Sequence, residues 1–414
     1  MDLLDKIYQA RERIKNVVKH TPLMKNENLS EEFSSKVYLK REDLQPVRSY
    51  KLRGAYNKIM SLGEEEKSRG VVCASAGNHA QGVAYTCNKL NIKVTIFMPV
   101  TTPPQKTKQV KYFGKDKVEV VLKGDTFDEA FEEAIRFCKK IGSVFIHPFD
   151  DEEVIAGQGT IGLELLEDTA TPIDYLFVPI GGGGLAAGII TVFKQLSPDT
   201  KIIGVEPAGA ASMKTSIEKG VNTALENMNN FVDGAAVKKV GDQTFIICKD
   251  NLDDIVLVPE GKVCTTILRM YNEDAIVVEP AGALSISALD FYKEQIKGKY
   301  AVCVVSGSNN DITRMQEIKE RSLLYEGLKH YFLVQFPQRP GAFKEFANDI
   351  LGPNDDIVYF QYSKKNNRES GPAVVGIELK DPNDFIKIEE QLKRRKYDYL
   401  YLNENSYLFT TLIS

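Results

Sequence analysis

A small set of side chains in this sequence has the types and surroundings for covalent and general-base chemistry. They are Lys51 in "SYKLRGAY", Asn78 and His79 in "SAGNHAQG", Glu279 in "VVEPAGA" and Ser306 in "VSGSNND". A lysine amine is a nucleophile and a base once it is neutral. Beside these stands "PIGGGGLAAG", Pro179 to Gly188, with four glycines between an apolar run and a helical one. Glycines there remove every Cβ where a phosphate would approach backbone N–H groups, and the helix that follows adds its positive end. No Lys-Ser or Lys-Thr follows the glycines, so the stretch is not a P-loop. A lysine, an amide, a hydroxyl and a phosphate cradle are together the parts needed to hold pyridoxal phosphate. A rival reading is an NAD-dependent dehydrogenase. Gly181, Gly183 and Ala186 satisfy GxGxxA, and Glu206 ends "KIIGVE" about twenty residues on, as a ribose-binding acid would. That reading leaves Lys51 and the Asn78 loop without a role.

The elements that must position these groups follow from periodicity. Leu52, Ala55, Tyr56, Ile59 and Met60 recur at helical spacing, so "SYKLRGAYNKIMSL" reads as an amphipathic helix with Ser49 near its start. On that helix Lys51 falls beside Lys58, off the apolar stripe, where a lysine is ordinarily solvated; only its companions argue otherwise. From Gly70 to about Pro259 short β-branched runs alternate with Gly or Pro turns and helical patterns, as in "GVVCAS" before "HAQGVAYTCNKL" and "YLFVPI" before "LAAGIITVFKQL". The same alternation returns at "AIVVEPAGALSISALDFY" and "YAVCVVSGSNND". It predicts an α/β fold of parallel sheet with helices on both faces, whose ligands collect at the carboxyl ends of strands. After about Leu324 the order becomes strand, helix, strand, strand, helix, strand, which is ferredoxin-like α+β, with "KKNNRESG" as a hairpin loop and "RSLLYEG" as the junction.

The chain has 414 residues, enough for two or three domains and a buried active site. Its 53 basic and 57 acidic residues leave a net charge of −4, which gives no general drive towards nucleic acid or an anionic membrane and favours small-molecule partners. The six cysteines lie far apart without a CxxC pair and read as reduced core residues of a cytoplasmic protein. No uncharged apolar run is long enough to span a bilayer. His20, His147 and His330 lack ligand partners at useful spacing and read as structural, and "LKRRK" reads as a solvated helix face.

In their order along the chain, "SYKLRGAY", "SAGNHAQG", "PIGGGGLAAG", "EPAGA" and "SGSNN" resemble the motifs of fold-type II pyridoxal-phosphate enzymes, the tryptophan synthase β-like fold. The resemblance is closest to threonine dehydratases and covers about residues 5–322. Residues 325–414 resemble the single ACT-like regulatory domain of the short biosynthetic type. The resemblance implies that Lys51 forms a Schiff base with pyridoxal 5'-phosphate and that Asn78 bonds the ring hydroxyl. Gly181, Gly182, Gly183, Gly184 and Leu185 would hold the phosphate, and Ser306 would face the pyridine nitrogen. Ser75, Asn78 and His79 belong to the loop that takes the substrate carboxylate. The implied reaction converts L-threonine to 2-oxobutanoate and ammonia, the first committed step of isoleucine biosynthesis. Isoleucine is then the expected inhibitor and valine its antagonist, in a homodimer or homotetramer. A serine-preferring dehydratase with a purely oligomerising C-terminal domain is the alternative within the class.

Physical chemistry adds detail to those roles. A helix start and the neighbouring Arg53 are expected to disfavour the ammonium form of Lys51. A hydroxyl at Ser306 cannot keep a pyridine nitrogen protonated as a carboxylate would, so the ring is a weaker electron sink, suited to losing a β-leaving group. Two departures sharpen the reading. Related serine racemases carry a second serine where this chain has Ala76, so racemisation is not expected. Their divalent-ion site uses an acid where this chain has Ser212, so no metal is expected. The implied architecture is a large catalytic domain of residues 1–69 and 149–322, a small one at 70–148 and a regulatory domain at 325–414.

Overall fold

The structure is a computed structural model that describes residues 2–362 and 369–413. The hairpin expected at "KKNNRESG" lies largely outside the described residues. The chain divides between Asp311 and Ile312 into two compact units.

The first unit contains β1 (Leu23–Lys25), β2 (Lys36–Arg41), β3 (Val71–Ala74), β4 (Val94–Met98), β5 (Val118–Leu122), β6 (Val144–Phe145), β7 (Tyr175–Pro179), β8 (Lys201–Pro207), β9 (Asp254–Val258) and β10 (Tyr300–Val305). They build two sheets. One has the order β1-β2-β10-β7-β8-β9 with only β1 antiparallel; the other is the wholly parallel β5-β4-β3-β6. Their strands read as unbroken apolar runs because both faces are covered: all of Val71–Ala74 and Ala301–Val305 are buried. The crossover that pairs β2 with β10 brings distant chain ends together. Ser49 bridges to Gly307, and the Tyr50 N–H donates to the Ser306 carbonyl at 3.1 Å, so the residues after β2 and after β10 meet at one sheet end.

Lys51 opens the helix Lys51–Ser61, with Tyr50 at its cap. The amphipathic pattern understates this helix. Every residue from Leu52 to Asn57 is buried, because it packs between the helices Asn78–Leu90 and Glu152–Asp168. One expected strand is absent: "AIVVE" joins no sheet. Ala275 at φ 54° ends the preceding helix, β9 closes the sheet edge, and Glu279 donates its N–H to the Gly307 carbonyl at 3.2 Å instead.

The second unit holds β11 (Lys329–Pro337), β12 (Asp356–Tyr362), β13 (Ser370–Glu378) and β14 (Tyr399–Tyr401) in the antiparallel order β12-β13-β11-β14, the ferredoxin-like arrangement. The helices Ala342–Ile350 and Asp384–Arg394 cover one face through Phe346, Ile350, Ile388 and Leu392. On the other, Leu408 and Phe409 of a terminal helix join Tyr331, Val374 and Leu402. The unit begins ahead of the "RSLLYEG" junction because the helix Met315–Tyr325 belongs to it: Leu324 packs in that second cluster, and the Tyr331 hydroxyl donates to Glu320 at 2.6 Å. None of the described helices is long and apolar enough to cross a membrane.

Candidate active site

At the head of its helix, Lys51 donates from Nζ to the Pro148 carbonyl at 2.8 Å. Burial draws its pKa down to about 8, opposed by the nearby Glu279 carboxylate. The direction matches the expectation; the cause does not. Arg53 points away from Lys51, with Nη2 2.7 Å from Glu42 and Nη1 2.6 Å from Glu164, and both it and Glu42 are fully buried. Glu164 passes the network on to buried Lys40 at 2.8 Å. The guanidinium therefore anchors the helix, and desolvation neutralises the amine.

Asn78 begins the helix Asn78–Leu90, whose first-turn N–H groups have no helical acceptor. Its Nδ2 donates to Glu279 Oε1 at 2.6 Å, and its Oδ1 accepts from Asn309 Nδ2 at 2.7 Å. The Asn309 backbone N–H donates to Glu279 Oε2 at 3.2 Å. Burial and then Asp233 raise the Glu279 carboxyl to about 7, against the pull of these N–H groups. Ser75 Oγ accepts from the Gly77 N–H at 3.2 Å. His79 Nε2 lies 2.9 Å from the Ile146 carbonyl and so carries the proton, which leaves Nδ1 a bare, buried acceptor without a partner among the described residues. Burial, with Lys51 nearby, pulls His79 down to about 3, so its neutral side chain has no N–H left for a carboxylate; only its backbone does.

The glycine loop runs from the end of β7 to the helix Gly184–Leu196. Its glycines have a reason other than the one the sequence suggests. A Cβ on Gly182 would sit inside the Phe149 ring, one on Gly183 would lie 2.7 Å from Thr244 Oγ1, and one on Gly184 2.8 Å from the Phe149 carbonyl. Gly183 also has φ 91°, which favours glycine. Packing therefore demands the glycines, and it leaves backbone donors unpaired: the N–H groups of Gly181, Gly182 and Gly183 meet no acceptor among the described residues. The Pro148–Phe149 turn stands between this loop and Lys51, touching both. Ser306 is buried directly after β10, and Ser49, also buried, has an Oγ without a partner.

These features fit pyridoxal phosphate. Three orphaned N–H groups before a helix start suit its phosphate, an amine of lowered pKa suits its aldehyde, and an amide and buried hydroxyls surround them. The dinucleotide reading fails on Glu206, which is fully buried and accepts from the N–H groups of Met213 at 2.7 Å and Lys214 at 2.9 Å. It caps the helix Ser212–Lys219 and is closed to a ribose. Pro148 and Phe149 carried no signal in the sequence, and only the fold brings them in. Asn309 stood inside a motif already singled out, and its amide was the available signal.

Fold and site together define a pyridoxal-phosphate enzyme of fold type II. Residues 14–307 match the family described as pyridoxal-phosphate dependent enzyme, and residues 320–412 match the C-terminal regulatory domain of threonine dehydratase. The chain is 58% identical over 410 residues, 99% of each chain, to the L-threonine dehydratase biosynthetic IlvA of Halalkalibacterium halodurans. It is 56% identical to that of Bacillus subtilis, covering 98% of this chain and 96% of the relative. Among solved structures, the processed form of threonine deaminase isoform 2 from Solanum lycopersicum superposes with a TM-score of 0.73 at 43% identity, over 77% of this chain and 94% of that one. The chain belongs to the threonine dehydratase family of pyridoxal-phosphate enzymes, in its biosynthetic branch with a C-terminal regulatory domain.

Proposed function

We propose that this protein eliminates water from L-threonine, the unsaturated amine so formed then taking up water as it hydrolyses to 2-oxobutanoate and ammonia, with Lys51 as cofactor anchor and base. The observation that carries this is the amine of Lys51, brought to a pKa of about 8 by burial and flanked by the Pro148–Phe149 turn that abuts the glycine loop. Gly181, Gly182, Gly183, Gly184 and Leu185 would hold the phosphate, Asn78 the ring oxygen, and Ser306 the ring nitrogen. When bound, pyridoxal phosphate supplies an electron sink for charge left at the substrate Cα. Lys51, once free of the cofactor, takes the Cα proton. The N–H groups at the start of the Asn78 helix, with Ser75, orient the substrate carboxylate, His79 contributing through its backbone. Ala76 offers no second base to return a proton from the other face, so elimination prevails over racemisation. Ion pairs Lys106–Asp233 at 2.6 Å and Lys238–Asp128 at 3.0 Å join the parts of the first unit built on its two sheets.

The second unit is read as the receptor for isoleucine, with valine as antagonist. The loop "FPQRPGAF" supports this: Gly341 has φ 85° and open space around it, ahead of the helix Ala342–Ile350. A homo-oligomer in the cytoplasm completes the proposal. The test is direct. Lys51→Ala is expected to bind no cofactor covalently and to lose both the visible absorption band and 2-oxobutanoate formation. Colour or turnover retained in a folded Lys51→Ala protein would remove Lys51 from its role.

A further inference from the structure

Asn78 Oδ1 and Nδ2 differ chemically, and its neighbours decide which way round they sit. Asn309 Nδ2 donates to the Val47 carbonyl at 2.9 Å, an atom that only accepts, so the Asn309 amide is fixed. The same Nδ2 then faces Asn78 at 2.7 Å, which requires an acceptor there, Oδ1. On its other side Asn78 Nδ2 meets the Glu279 carboxylate at 2.6 Å, and the second carboxylate oxygen takes the Asn309 N–H at 3.2 Å. Glu279 is itself held: its N–H donates to the Gly307 carbonyl at 3.2 Å, and a Cβ on Gly307 would collide with its carboxylate. The triad thus takes up one lone pair of the Asn78 oxygen and one of its two N–H bonds, and turns the second N–H away from Glu279.

We propose that Glu279 and Asn309 are positioning residues that lock the Asn78 amide in one of its two flips, so that Asn78 keeps its second N–H to donate to the cofactor's ring oxygen. A donor there favours the ring oxygen as an anion over a hydroxyl. The inference rests on the reading above that Asn78 contacts the ring oxygen. Neither Glu279 nor Asn309 needs to touch the reacting atoms. Glu279→Gln keeps the volume but places an NH2 group against either Asn78 Nδ2 or the Asn309 N–H, so one donor loses its acceptor and the flip is no longer fixed.

The experiment is a double-mutant cycle on apoprotein titrated with pyridoxal phosphate, following the dissociation constant and the position of the visible band of the loaded protein. Glu279→Gln is expected to weaken cofactor binding about tenfold and to shift the band, as the loss of a charge-assisted bond would. In an Asn78→Ala background the same change is expected to do almost nothing more. If Glu279→Gln fails to fold, Asn309→Ser is put through the same cycle with the same expectation. A normal dissociation constant and band in Glu279→Gln, beside an altered Asn78→Ala, would overturn the positioning role alone. So would effects that simply add in the double variant. An Asn78→Ala protein with normal affinity and band would instead overturn the contact between Asn78 and the ring, and this inference with it.

Discussion

An amine that titrates near 8 changes what Lys51 can do at neutral pH. An exposed lysine, at about 10.4, is almost wholly ammonium there; burial leaves an appreciable free-base fraction. The free fraction grows as pH rises through about 8 and is complete above it. The rate at which apoprotein captures pyridoxal phosphate is therefore expected to climb to about pH 8 and then level. A tenfold rise per pH unit continuing to pH 10 would mean that the amine is not desolvated as the fold implies. Lys51 was legible in the sequence through its companions, while its own helical position argued for solvent. The cause of its pKa shift was not legible, because Arg53, two residues on, turns away to Glu42 and Glu164. Desolvation comes from elements that arrive from elsewhere in the chain.

Helices and loops, rather than single side chains, hold these groups in place. The Lys51 helix is pinned by Arg53, whose fully buried guanidinium meets two carboxylates, that of Glu42 fully buried as well. Arg53→Met would strand Glu42 as a buried charge and leave Glu164 to Lys40 alone, and the expected loss is about 3–5 kcal/mol of stability in chemical denaturation. An unchanged denaturation midpoint would contradict the pinning. At the glycine loop, Gly182→Ala must push against the Phe149 ring. Overpacking of this kind costs about 1–3 kcal/mol, and here it also displaces the N–H row that would hold a phosphate. Weaker cofactor binding at near-normal secondary structure is the expected pair of results in equilibrium titration and circular dichroism. Strand-then-helix grammar predicted β3, β4, β7, β8 and β10 well, because buried parallel strands have an unambiguous apolar signature. It failed at "AIVVE", where β-branched residues sit in a segment whose backbone bonds to a loop, a choice made by the sheet's edge and invisible locally.

At the scale of the whole molecule, the proposed site lies within the first unit, and residues 320–412 match a regulatory domain. Truncation after Asp311 is expected to keep turnover of threonine while abolishing any response to isoleucine; loss of both together would show that the second unit serves the first structurally. In the full chain, coupling of about 1–3 kcal/mol would shift the apparent threonine affinity roughly 5–150-fold. The two-part organisation was visible in the change of pattern near Leu324, but the division at Ile312 was not, since the helix Met315–Tyr325 is assigned by what Leu324 and Glu320 touch in three dimensions. Substrate choice is the point at which the account commits most. One methyl group separates threonine from serine, and a pocket distinguishes it by about 1–3 kcal/mol. The deciding measurement is the steady-state kcat/KM of the cofactor-loaded full-length protein for L-threonine and L-serine, followed by 2-oxo acid formation. The account predicts 2-oxobutanoate from threonine with the larger kcat/KM. A larger value for serine, or no 2-oxo acid from threonine, would contradict it.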